Sequence, residues 1–461
     1  MIVTPHAPPP RTAPRLARAN DSGRVVVVGL GRTGMSCARY LHARGIRFAV
    51  TDNRPQPPEA AALEKLAPTT DVSFGAFDAS LLDGASQVIA SPGVALREPF
   101  LQAAAQRGVP IVGDIELFAR EAQAPIAAIT GTNGKSTVTT LVAEMAAAAG
   151  DHVLAGGNLG RPALDLLDDP VPDLYVLELS SFQLETTRSL RTAAATVLNV
   201  SADHMDRYAT LDHYVAAKAR IYERAATAVI NVDDPLVRAM PRNAEHTIGF
   251  SLRADSSAEY YVQPHTGETV LMRGHERLVA MSELKIAGLH NAANALAALA
   301  MCEALDLPRE ECVTALRAFP GLPHRSRWVG EVAGVRYIDD SKGTNVGATL
   351  AAVAGMQGSL VLIAGGQGKG QDFAPLATAF RGKVRHAVLI GQDARVVAAA
   401  IAGVATVEFA SDMDDAVRRA AGAAKAGETV LLSPACASLD MFRDYGHRGD
   451  VFAAAVQRLS T

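Results

Sequence analysis

The chain has 461 residues, of which 49% are hydrophobic and 5% aromatic, and this length and composition predict roughly three domains of a globular α/β protein. Its formal net charge is -4, with Lys and Arg dispersed along the chain, so nucleic acid is not expected as a partner. Cys37, Cys302, Cys312 and Cys436 lie far apart without metal-ligand spacing. This cysteine usage is typical of a reducing compartment and predicts a cytoplasmic protein.

Two stretches bear on export and on membrane association. Residues 1–20 are rich in Pro, Ala and Arg and lack a continuous apolar segment, so they predict a disordered leader and not a secretory signal. Residues 344–368 form a long uncharged window, but Gly355 and the Gln-Gly-Ser run at 357–359 divide it. We therefore expect a helix followed by a strand there, and no stable membrane association.

The first region, residues 21–113, begins with Arg-Val-Val-Val-Val and continues as Gly-Leu-Gly-Arg-Thr-Gly at residues 29–34. A predicted helix from Met35 to Arg44 and a second strand ending at Asp52 complete the layout of a dinucleotide-binding βαβ unit. The same turn serves any pyrophosphate, and Asp52 with Arg54 could contact a base or a sugar. The pattern therefore predicts a bound diphosphate without identifying the molecule that carries it.

A second glycine loop follows the apolar residues 125–129 and precedes a helix-like segment, residues 138–149. Its glycines let backbone N–H groups face phosphate oxygens, Lys135 can reach a terminal phosphate, and the Ser136 or Thr137 hydroxyl can hold Mg²⁺. Ile129 stands where the full mononucleotide motif has its first glycine. The loop thus predicts binding of a nucleoside triphosphate by a variant of that motif.

Strands alternate with helices through the rest of the chain, which favours parallel, doubly wound sheets in a central region, 114–321, and in a third region, 322–461. Short alternating runs between residues 248 and 286 predict antiparallel hairpins beside the central sheet. The strands expected in these two regions are residues 174–179, 195–200, 228–232, 335–338, 360–364, 387–390, 407–410 and 429–432.

Polar residues cluster where these strands end, at the edge where open parallel sheets bind ligands. We therefore expect an active crevice formed by the segments around Asn158, 178–183, 203–208, 339–344, 365–369 and 433–438.

Several segments together resemble the bacterial Mur ligase family, the cell-wall amide ligases that add amino acids to a UDP-linked muramic acid. The resemblance covers nearly everything after Asn20, and its last two motifs, with the short first region, favour the D-glutamate-adding branch. The motifs occupy residues 131–137, 178–185, 204–208, 290–295, 321–325, 340–345 and 433–438.

The resemblance implies that the first domain holds the UDP sugar, so a nicotinamide cofactor is not expected there. It also implies that the central domain binds ATP. The implied UDP-sugar residues are Arg32, Thr33, Asp52, Arg54, Ser91, Gly93, Asn158, Ser180 and Gln183. The implied ATP residues are Gly131, Thr132, Asn133, Gly134, Lys135, Ser136, Thr137, Asn291, Asn294, Arg325 and Asp340.

Two Mg²⁺ ions are implied, one at Ser136 and Glu178 and the other at His204 and Lys218, where Lys218 carries CO₂ as a carbamate. A carbamate supplies anionic oxygens, whereas an ammonium cannot bind a cation. Without the resemblance, Lys218 would be read as a solvated helix residue, and His204 as a histidine that only forms hydrogen bonds in a core. Lys135, His204, Lys218 and Asn158 are the implied catalytic residues.

The implied reaction joins D-glutamate to UDP-N-acetylmuramoyl-L-alanine through an acyl phosphate and releases ADP and phosphate. D-Glutamate would be held by Lys342, Thr344, Lys369, Ser438 and Tyr445, the last standing where the family pattern has Phe. A monomer that acts on small molecules is expected. The alternatives are another Mur-type or a folylpolyglutamate-type ligase, or a nucleotide-binding regulator without catalysis.

Overall fold

The computed structural model describes residues 23–265, 268–286, 288–356 and 358–459. The leader predicted at residues 1–20 and Gln357 lie outside these described residues. By compactness the chain divides into two units. The first contains the described residues up to Ile126 together with Leu154–Thr192, and the second contains Ala127–Val153 and the described residues from Ala193 onward. Each unit is described by itself.

The strands, in chain order, are β1 Arg24–Val28, β2 Phe48–Asp52, β3 Asp71–Phe74, β4 Ala85–Ala90, β5 Ile111–Val112, β6 Ile126–Thr130, β7 Val153–Gly157, β8 Leu174–Glu178, β9 Thr192–Val197, β10 Ala225–Asn231, β11 His246–Ser251, β12 Tyr260–His265, β13 Glu268–Arg273, β14 Glu276–Ala280, β15 Arg327–Val332, β16 Val335–Asp339, β17 Leu360–Gly365, β18 Val384–Ile390, β19 Thr406–Phe409 and β20 Thr429–Leu432.

The α-helices, in chain order, are α1 Arg32–Ala43, α2 Ala60–Leu66, α3 Pro99–Gln106, α4 Asp114–Glu121, α5 Lys135–Ala148, α6 Ser181–Glu185, α7 Leu211–Ala219, α8 Pro235–Arg238, α9 Leu289–Ala304, α10 Arg309–Ala318, α11 Val346–Gly355, α12 Ala374–Phe380, α13 Ala394–Ala400, α14 Met413–Ala423 and α15 Tyr445–Arg458.

In the first unit, a parallel sheet has the strand order β3-β2-β1-β4-β5. Strand β1 lies at its centre. Its four consecutive valines are therefore buried, as expected for a strand covered on both faces. Strands β7 and β8 are neighbours in the same unit. The centre of this sheet carries the first glycine turn at the carboxyl end of β1.

In the second unit, one sheet has the order β14-β13-β12-β11-β10-β9-β6. The pairs β6–β9, β10–β11 and β11–β12 are parallel, whereas β12–β13 and β13–β14 are antiparallel. The predicted antiparallel hairpins are thus confirmed, and they continue the main sheet through β11. Helices α5 and α9 pack against each other behind the nucleotide loop.

The carboxyl-terminal part of the second unit is a sheet in the order β15-β16-β20-β17-β18-β19, parallel except for the edge pair β15–β16. Alternate residues of β17 supply two cores, because side chains of a strand point to opposite faces. Leu360 and Leu362 pack in one core with Phe380 of α12. Val361 and Ile363 pack in the other, with helices α14 and α15.

The predicted α/β class is confirmed, but several predicted boundaries are wrong by about three residues, among them those of α1 and β9. Helix α1 begins at Arg32 and not at Met35, because extended Gly31 caps it directly after the turn. The strand predicted at residues 195–200 is β9, which ends at Val197. Val200 instead donates its N–H to Asp234 Oδ2 at 2.7 Å, so the backbone leaves the sheet toward the polar loop before His204.

The apolar window at residues 344–368 forms α11 and β17, as predicted. Within the described part of the chain, no helix combines the length and apolar character needed to cross a membrane.

Candidate active site

The nucleotide loop joins β6 to α5 in the second unit, and its shape depends on two glycines. Gly131 has φ of 153° and Gly134 caps α5 in the left-handed region at φ of 84°. A Cβ on Gly134 would overlap Asn294 Oδ1, so a side chain is excluded on steric grounds as well. Lys135 folds back over the loop and donates to the carbonyl oxygens of Gly131 and Thr132, each at 2.9 Å. Its ammonium is therefore held at the helix amino terminus, where an anion binds favourably.

A cavity of about 300 Å³ opens beside this loop in the second unit. Arg325 lines it and donates to Ser136 Oγ at 2.7 Å, and Asn294 donates to Asn291 Oδ1 at 3.2 Å. The cavity has the size expected of a small-molecule site. Predicted ATP residues that line it are Asn133, Gly134, Thr137, Asn291, Asn294, Arg325 and Asp340, and the predicted D-glutamate residue Lys342 lines it too.

Some lining residues were not assigned from the sequence. Ser201 Oγ and His290 Nδ1 are buried, and neither has a hydrogen-bond partner among the described residues. Burial lowers the pKa of His290. An unsatisfied buried polar atom in a cavity wall is costly unless a ligand or water contacts it. His290 lies inside a recognised motif, whereas no local signal marks Ser201.

Asp340 lies at the edge of this cavity and is 9% exposed. Burial raises its pKa to about 7, although hydrogen bonds from Ser433 Oγ at 2.8 Å and from the Ser326 N–H at 3.1 Å oppose that rise. The carboxyl group therefore keeps its proton to a higher pH than an exposed aspartate does, and in that form it can donate a hydrogen bond to a ligand.

His204 lies in the loop after β9 with a left-handed backbone, φ 57°. Its N–H donates to Asp203 Oδ1 at 2.9 Å. Burial lowers the pKa of His204, Asp203 opposes the shift, and Lys369 and Lys135 reinforce it. The imidazole is consequently neutral at pH 7, the form that can bind a metal or accept a proton.

Lys218 of α7 is buried, with 1% of its surface exposed, so its interpretation as a solvated helix residue is wrong. Its Nζ donates to the Gly131 carbonyl oxygen at 2.9 Å and lies 4.5 Å from the centre of the Tyr214 ring. Lys218 therefore touches the nucleotide loop itself.

In the first unit, Asn158 and Glu178 form one cluster at the ends of β7 and β8. Asn158 donates its side-chain amide to Glu178 Oε1 at 2.6 Å and its N–H to the Glu178 carbonyl oxygen at 2.8 Å. Glu178 is 3% exposed, and its Oε2 has no hydrogen-bond partner among the described residues. A buried carboxylate oxygen with unused lone pairs fits a divalent cation.

Within the described residues, no three or more His, Cys, Asp or Glu side chains group together as a metal site. The predicted metal set is of a different kind, since it also uses a hydroxyl and a modified lysine.

The first unit also holds the glycine turn, where Gly29 has φ of 88°. A Cβ on Gly34 would overlap the Gly29 carbonyl oxygen, so α1 can approach β1 only with glycine there. Ser91 Oγ donates to the same oxygen at 2.7 Å. The Arg32 side chain, which is exposed at the start of α1, donates to the Gly160 carbonyl oxygen.

Asp52 stabilises this turn by accepting hydrogen bonds from two of its neighbours. Its Oδ2 accepts the Leu30 N–H at 2.6 Å, and both carboxylate oxygens accept from the Arg54 guanidinium, at 2.9 and 2.6 Å. Burial alone would raise the pKa of Asp52, but the hydrogen bonds from Arg54 and Leu30 lower it to about 2. The carboxylate is thus engaged by the protein, and Arg54 is the more accessible partner for a ligand.

Ser180 and Gln183 form a capping box at the start of α6. Gln183 is 3% exposed and also donates to Asp114 Oδ2 at 2.9 Å. Both side chains stabilise the start of α6, which follows Glu178 closely in the chain. Thr33 is half-buried beside the glycine turn and Gly93 is exposed.

The residues expected to hold an amino acid lie in the carboxyl-terminal part of the second unit. Lys342 Nζ lies 3.9 Å from the centre of the Tyr445 ring, which gives the aromatic residue a cation–π role that requires no hydroxyl. Lys369 Nζ pairs with Asp203 at 3.8 Å. Thr344 is half-buried, and Ser438 is 3% exposed.

Arg448, a residue that sequence reasoning missed, is fully buried near Ser438 in the chain. It donates to the Ser341 hydroxyl and carbonyl oxygens and to the Cys436 carbonyl oxygen, at 2.9, 2.7 and 3.0 Å. Burial lowers its pKa to about 10, so it stays charged at neutral pH. It therefore ties together the two loops that carry Lys342 and Ser438.

Family models match three consecutive parts of the chain. Residues 23–113 match a Mur ligase MurD-like, N-terminal domain, residues 129–302 a Mur ligase middle domain, and residues 324–436 a Mur ligase, glutamate ligase domain. A relative from Nitrosococcus oceani named UDP-N-acetylmuramoylalanine–D-glutamate ligase is 54% identical over 436 residues, 94% of this chain and 96% of the relative. The chain belongs to the Mur ligase family.

Further similar proteins agree. Relatives with the same name from Methylobacillus flagellatus and Pseudomonas aeruginosa are 52% and 50% identical, over 95% and 96% of this chain and 97% and 99% of theirs. A pseudomurein peptide ligase type C from Methanothermus fervidus has a TM-score of 0.62 at 17% identity, covering 95% of this chain and all of its own. UDP-N-acetylmuramate-alanine ligase from Thermotoga maritima has a TM-score of 0.59 at 19% identity, covering 94% and 99%. The last two comparisons support the fold.

As a Mur ligase, the chain is an ATP-dependent amide ligase, a class that depends on Mg²⁺, and this confirms the enzyme class predicted from the motifs. The relatives' name also agrees with the D-glutamate-adding branch favoured by the sequence. The roles of individual site residues and the three domain boundaries stay predictions.

Proposed function

We propose that this Mur ligase adds D-glutamate to UDP-N-acetylmuramoyl-L-alanine, with ATP as the energy source, in the synthesis of peptidoglycan precursors. The geometric observation that supports this function is the cavity of the second unit, which Lys342 lines together with Asn133, Arg325 and Asp340. A lysine suited to an amino-acid carboxylate thus shares one cavity with the nucleotide residues. The full-length relatives provide the name of the amino acid.

The reaction has two steps. An oxygen of the substrate's alanyl carboxylate attacks the γ-phosphorus of ATP, the bond to ADP breaks, and an acyl phosphate forms. The amine nitrogen of D-glutamate then attacks the acyl carbon, loses a proton and expels phosphate. Activation is needed because oxide is a very poor leaving group, whereas phosphate is stabilised by cations and by hydrogen-bond donors.

The nucleotide loop would stabilise the transferring phosphate through Lys135. That ammonium is already oriented by the Gly131 and Thr132 carbonyl oxygens, so little reorganisation is needed as charge develops. Neutral His204 would orient the substrate carboxylate, and Asn158 would contact the substrate through its side-chain amide. Asn291, Asn294, Arg325 and Asp340 would surround the rest of ATP.

The residues present fit the two implied Mg²⁺ ions. Glu178 has a buried, unused carboxylate oxygen that would bind one ion, and the Ser136 hydroxyl remains a predicted ligand of the nucleotide loop. Neutral His204 would hold the other with Lys218, once the buried amine has taken up CO₂ as a carbamate. The ions supply positive charge that neutralises the phosphates and stabilises phosphoryl transfer.

The first unit would bind the UDP sugar. The amino terminus of α1 with Arg32 and Thr33 would hold the diphosphate, and Ser91 and Gly93 would line the adjoining loop. The base would lie near Arg54, with Asp52 acting through its hydrogen bonds to Arg54 and Leu30. Ser180 and Gln183 would support this site through the start of α6.

We further propose a cytoplasmic monomer with domains at residues 21–113, 114–321 and 322–461. Among the described residues, Cys37, Cys302, Cys312 and Cys436 are all free and buried, which suits a reducing compartment.

The experiment measures phosphate release with ATP, Mg²⁺ and UDP-N-acetylmuramoyl-L-alanine against a panel of amino acids. D-Glutamate should be preferred over L-glutamate, whose amine approaches the acyl phosphate along the wrong trajectory. Preference for diaminopimelate or lysine would place the chain in another branch, and release without any amino acid would contradict a ligase.

A variant sharpens the assignment of the amino-acid site. Replacing Lys342 or Lys369 with Ala should raise the KM for D-glutamate by about ten- to a hundredfold, because a charge-assisted hydrogen bond contributes roughly 1.5–3 kcal/mol. Exposed Lys425 lies in the same part of the chain, so Lys425→Ala is the matched control and should leave that KM unchanged. Wild-type KM values in both test variants would exclude these cations from the amino-acid site.

A further inference from the structure

The start of helix α11 contacts loops from three other parts of the second unit, and Asn345 lies at its centre. Asn345 is 2% exposed and is the residue that caps α11. It is not among the described residues that line the nucleotide cavity. The Asn345 side chain is therefore expected to affect a ligand only through the protein groups that it contacts.

The Asn345 amide uses its full hydrogen-bonding capacity. Its Nδ2 donates to Asn133 Oδ1 at 3.1 Å and to Asp203 Oδ2 at 3.2 Å. Its Oδ1 accepts from the Ala348 N–H at 2.8 Å and from Asn133 Nδ2 at 3.3 Å. A side-chain amide has two donor hydrogens and two acceptor lone pairs. Each of them has a partner here, so no other side chain of this length can replace the amide.

The two side-chain partners of Asn345, Asn133 and Asp203, belong to segments of two different predicted ligand sites. Asn133 belongs to the nucleotide loop, where its N–H also donates to Asn199 Oδ1 at 2.8 Å. Asp203 precedes His204 and pairs with Lys369 at 3.8 Å. Asn345 therefore joins the loop that carries Lys135 to the cation expected to bind the amino acid.

The residues after Asn345 fix its position. A Cβ on Gly347 would lie 2.6 Å from Ser201 Oγ, so α11 approaches that loop too closely for any side chain. The Val346 N–H donates to Gln371 Oε1 at 2.9 Å, and Gln371 follows the Lys369 loop. The three consecutive residues thus hold three loops in one arrangement.

We propose that Asn345 is a positioning residue that links the ATP site to the amino-acid site. This inference rests on the proposed function for the identity of the two ligands. The amide sets the position of Asn133 and of the Asp203–Lys369 pair together, so a loop displaced at one site is displaced at the other. Since linkage between two binding sites is reciprocal, the apparent affinities for ATP and for D-glutamate depend on the same residue.

The decisive variant is Asn345→Asp, with Asn345→Ala beside it. Aspartate caps a helix as well as asparagine does, so it keeps the bond from Ala348 N–H, but it has no donor for Asn133 and brings a second carboxylate toward Asp203. The matched control is Asp412→Ala. It removes an exposed residue that caps α14 through the Asp415 N–H, outside this network.

Steady-state phosphate release is measured with each substrate varied in turn, together with the melting temperature. Both Asn345 variants should raise the KM values for ATP and for D-glutamate by about tenfold, because both lose the two hydrogen bonds that Nδ2 donates, to Asn133 and to the Asp203 carboxylate. The KM for the UDP sugar should not change, although the melting temperature should fall further than in Asp412→Ala, because Asn345 is buried and makes more hydrogen bonds than exposed Asp412.

Wild-type turnover with D-glutamate tests the proposed function in the same experiment, independently of the variants. An Asn345→Asp protein whose KM values stay within about twofold of wild type would overturn the inference and reduce Asn345 to a helix cap. A rise in only one of the two KM values would overturn the linkage as well.

Discussion

Two glycine turns occupy equivalent places in their sheets, each between a buried strand and the amino terminus of a helix, yet they are equipped differently. The turn after β1 has no lysine, and its buried acid, Asp52, is engaged by Leu30 and Arg54. The loop after β6 has Lys135 folded over its carbonyl oxygens and a second buried lysine, Lys218, against Gly131. The difference supports the proposal that the first turn holds a diphosphate unchanged, whereas the second stabilises a phosphate that is being transferred.

Among the variants that test this comparison, Lys135→Ala has the largest expected effect. The cation acts mainly in the transition state, so turnover should fall on the order of a thousandfold while the fold is retained. Phosphate release and circular dichroism check the two parts. Near-normal turnover in a correctly folded variant would show that this loop does not perform phosphoryl transfer.

Lys218→Ala should lose at least about a hundredfold in turnover, and short carboxylates such as formate should restore part of it if the missing group is a carbamate. Lys135→Ala is the matched control, because an anion cannot replace its ammonium. The intact protein should also carry the mass increment of CO₂. An unmodified Lys218 in an active, Mg²⁺-loaded enzyme would exclude the carbamate.

Arg32→Ala tests the first turn. A group that holds a diphosphate equally in the ground and transition states affects KM and not kcat, so the KM for the UDP sugar should rise by about tenfold with kcat nearly constant. Exposed Arg47 of the same unit provides the control variant Arg47→Ala. A large loss of kcat in Arg32→Ala would mean that the first turn also takes part in the chemistry.

The remaining expected effect is on stability, and it has opposite signs at the two sites. Burial raises the pKa of Asp340 to about 7, so the folded state keeps a proton that the unfolded state releases near pH 4. Asp340 therefore makes the protein less stable as pH rises from about 4 to about 7, by at most about 1.4 kcal/mol per pH unit. Hydrogen bonds lower the pKa of Asp52 to about 2, so its contribution is present above about pH 4 and is lost as pH falls toward 2.

Thermal unfolding between about pH 2 and 8 checks these signs with two isosteric variants, over a range of roughly six pH units that includes both transitions. Asp340→Asn should gain stability relative to wild type as pH rises through that range. Asp52→Asn should be less stable than wild type above about pH 4, with the deficit shrinking only below it. Parallel pH profiles for wild type and Asp340→Asn would contradict the raised pKa of Asp340.

Local patterns in the sequence predict both turns because strand, glycines and helix are contiguous there. Lys135, Arg325 and Asp340 also follow from motifs, and the structure brings them to one cavity or its loop. The burial of Lys218 does not follow from the pattern of its own helix, since Lys218 contacts Gly131, 87 positions earlier in the chain. Asn345 ends the motif at residues 340–345, but its role, like that of Arg448, comes from hydrogen bonds to distant loops that no local pattern reports. Local periodicity cannot report such contacts.

The burial of the cysteines gives the molecule a set of native reporters. Cys37 lies on α1, Cys302 and Cys312 lie on α9 and α10, and Cys436 follows β20. A buried thiol reacts with an alkylating reagent only when its surroundings open, so its labelling rate measures the free energy of that local opening. Pulse alkylation followed by peptide mass analysis would thus compare the opening of the glycine-turn region, the helices behind the nucleotide loop and the carboxyl-terminal sheet within one unaltered protein. Adding ATP or the UDP sugar would then show which region each ligand stabilises, with no introduced probe.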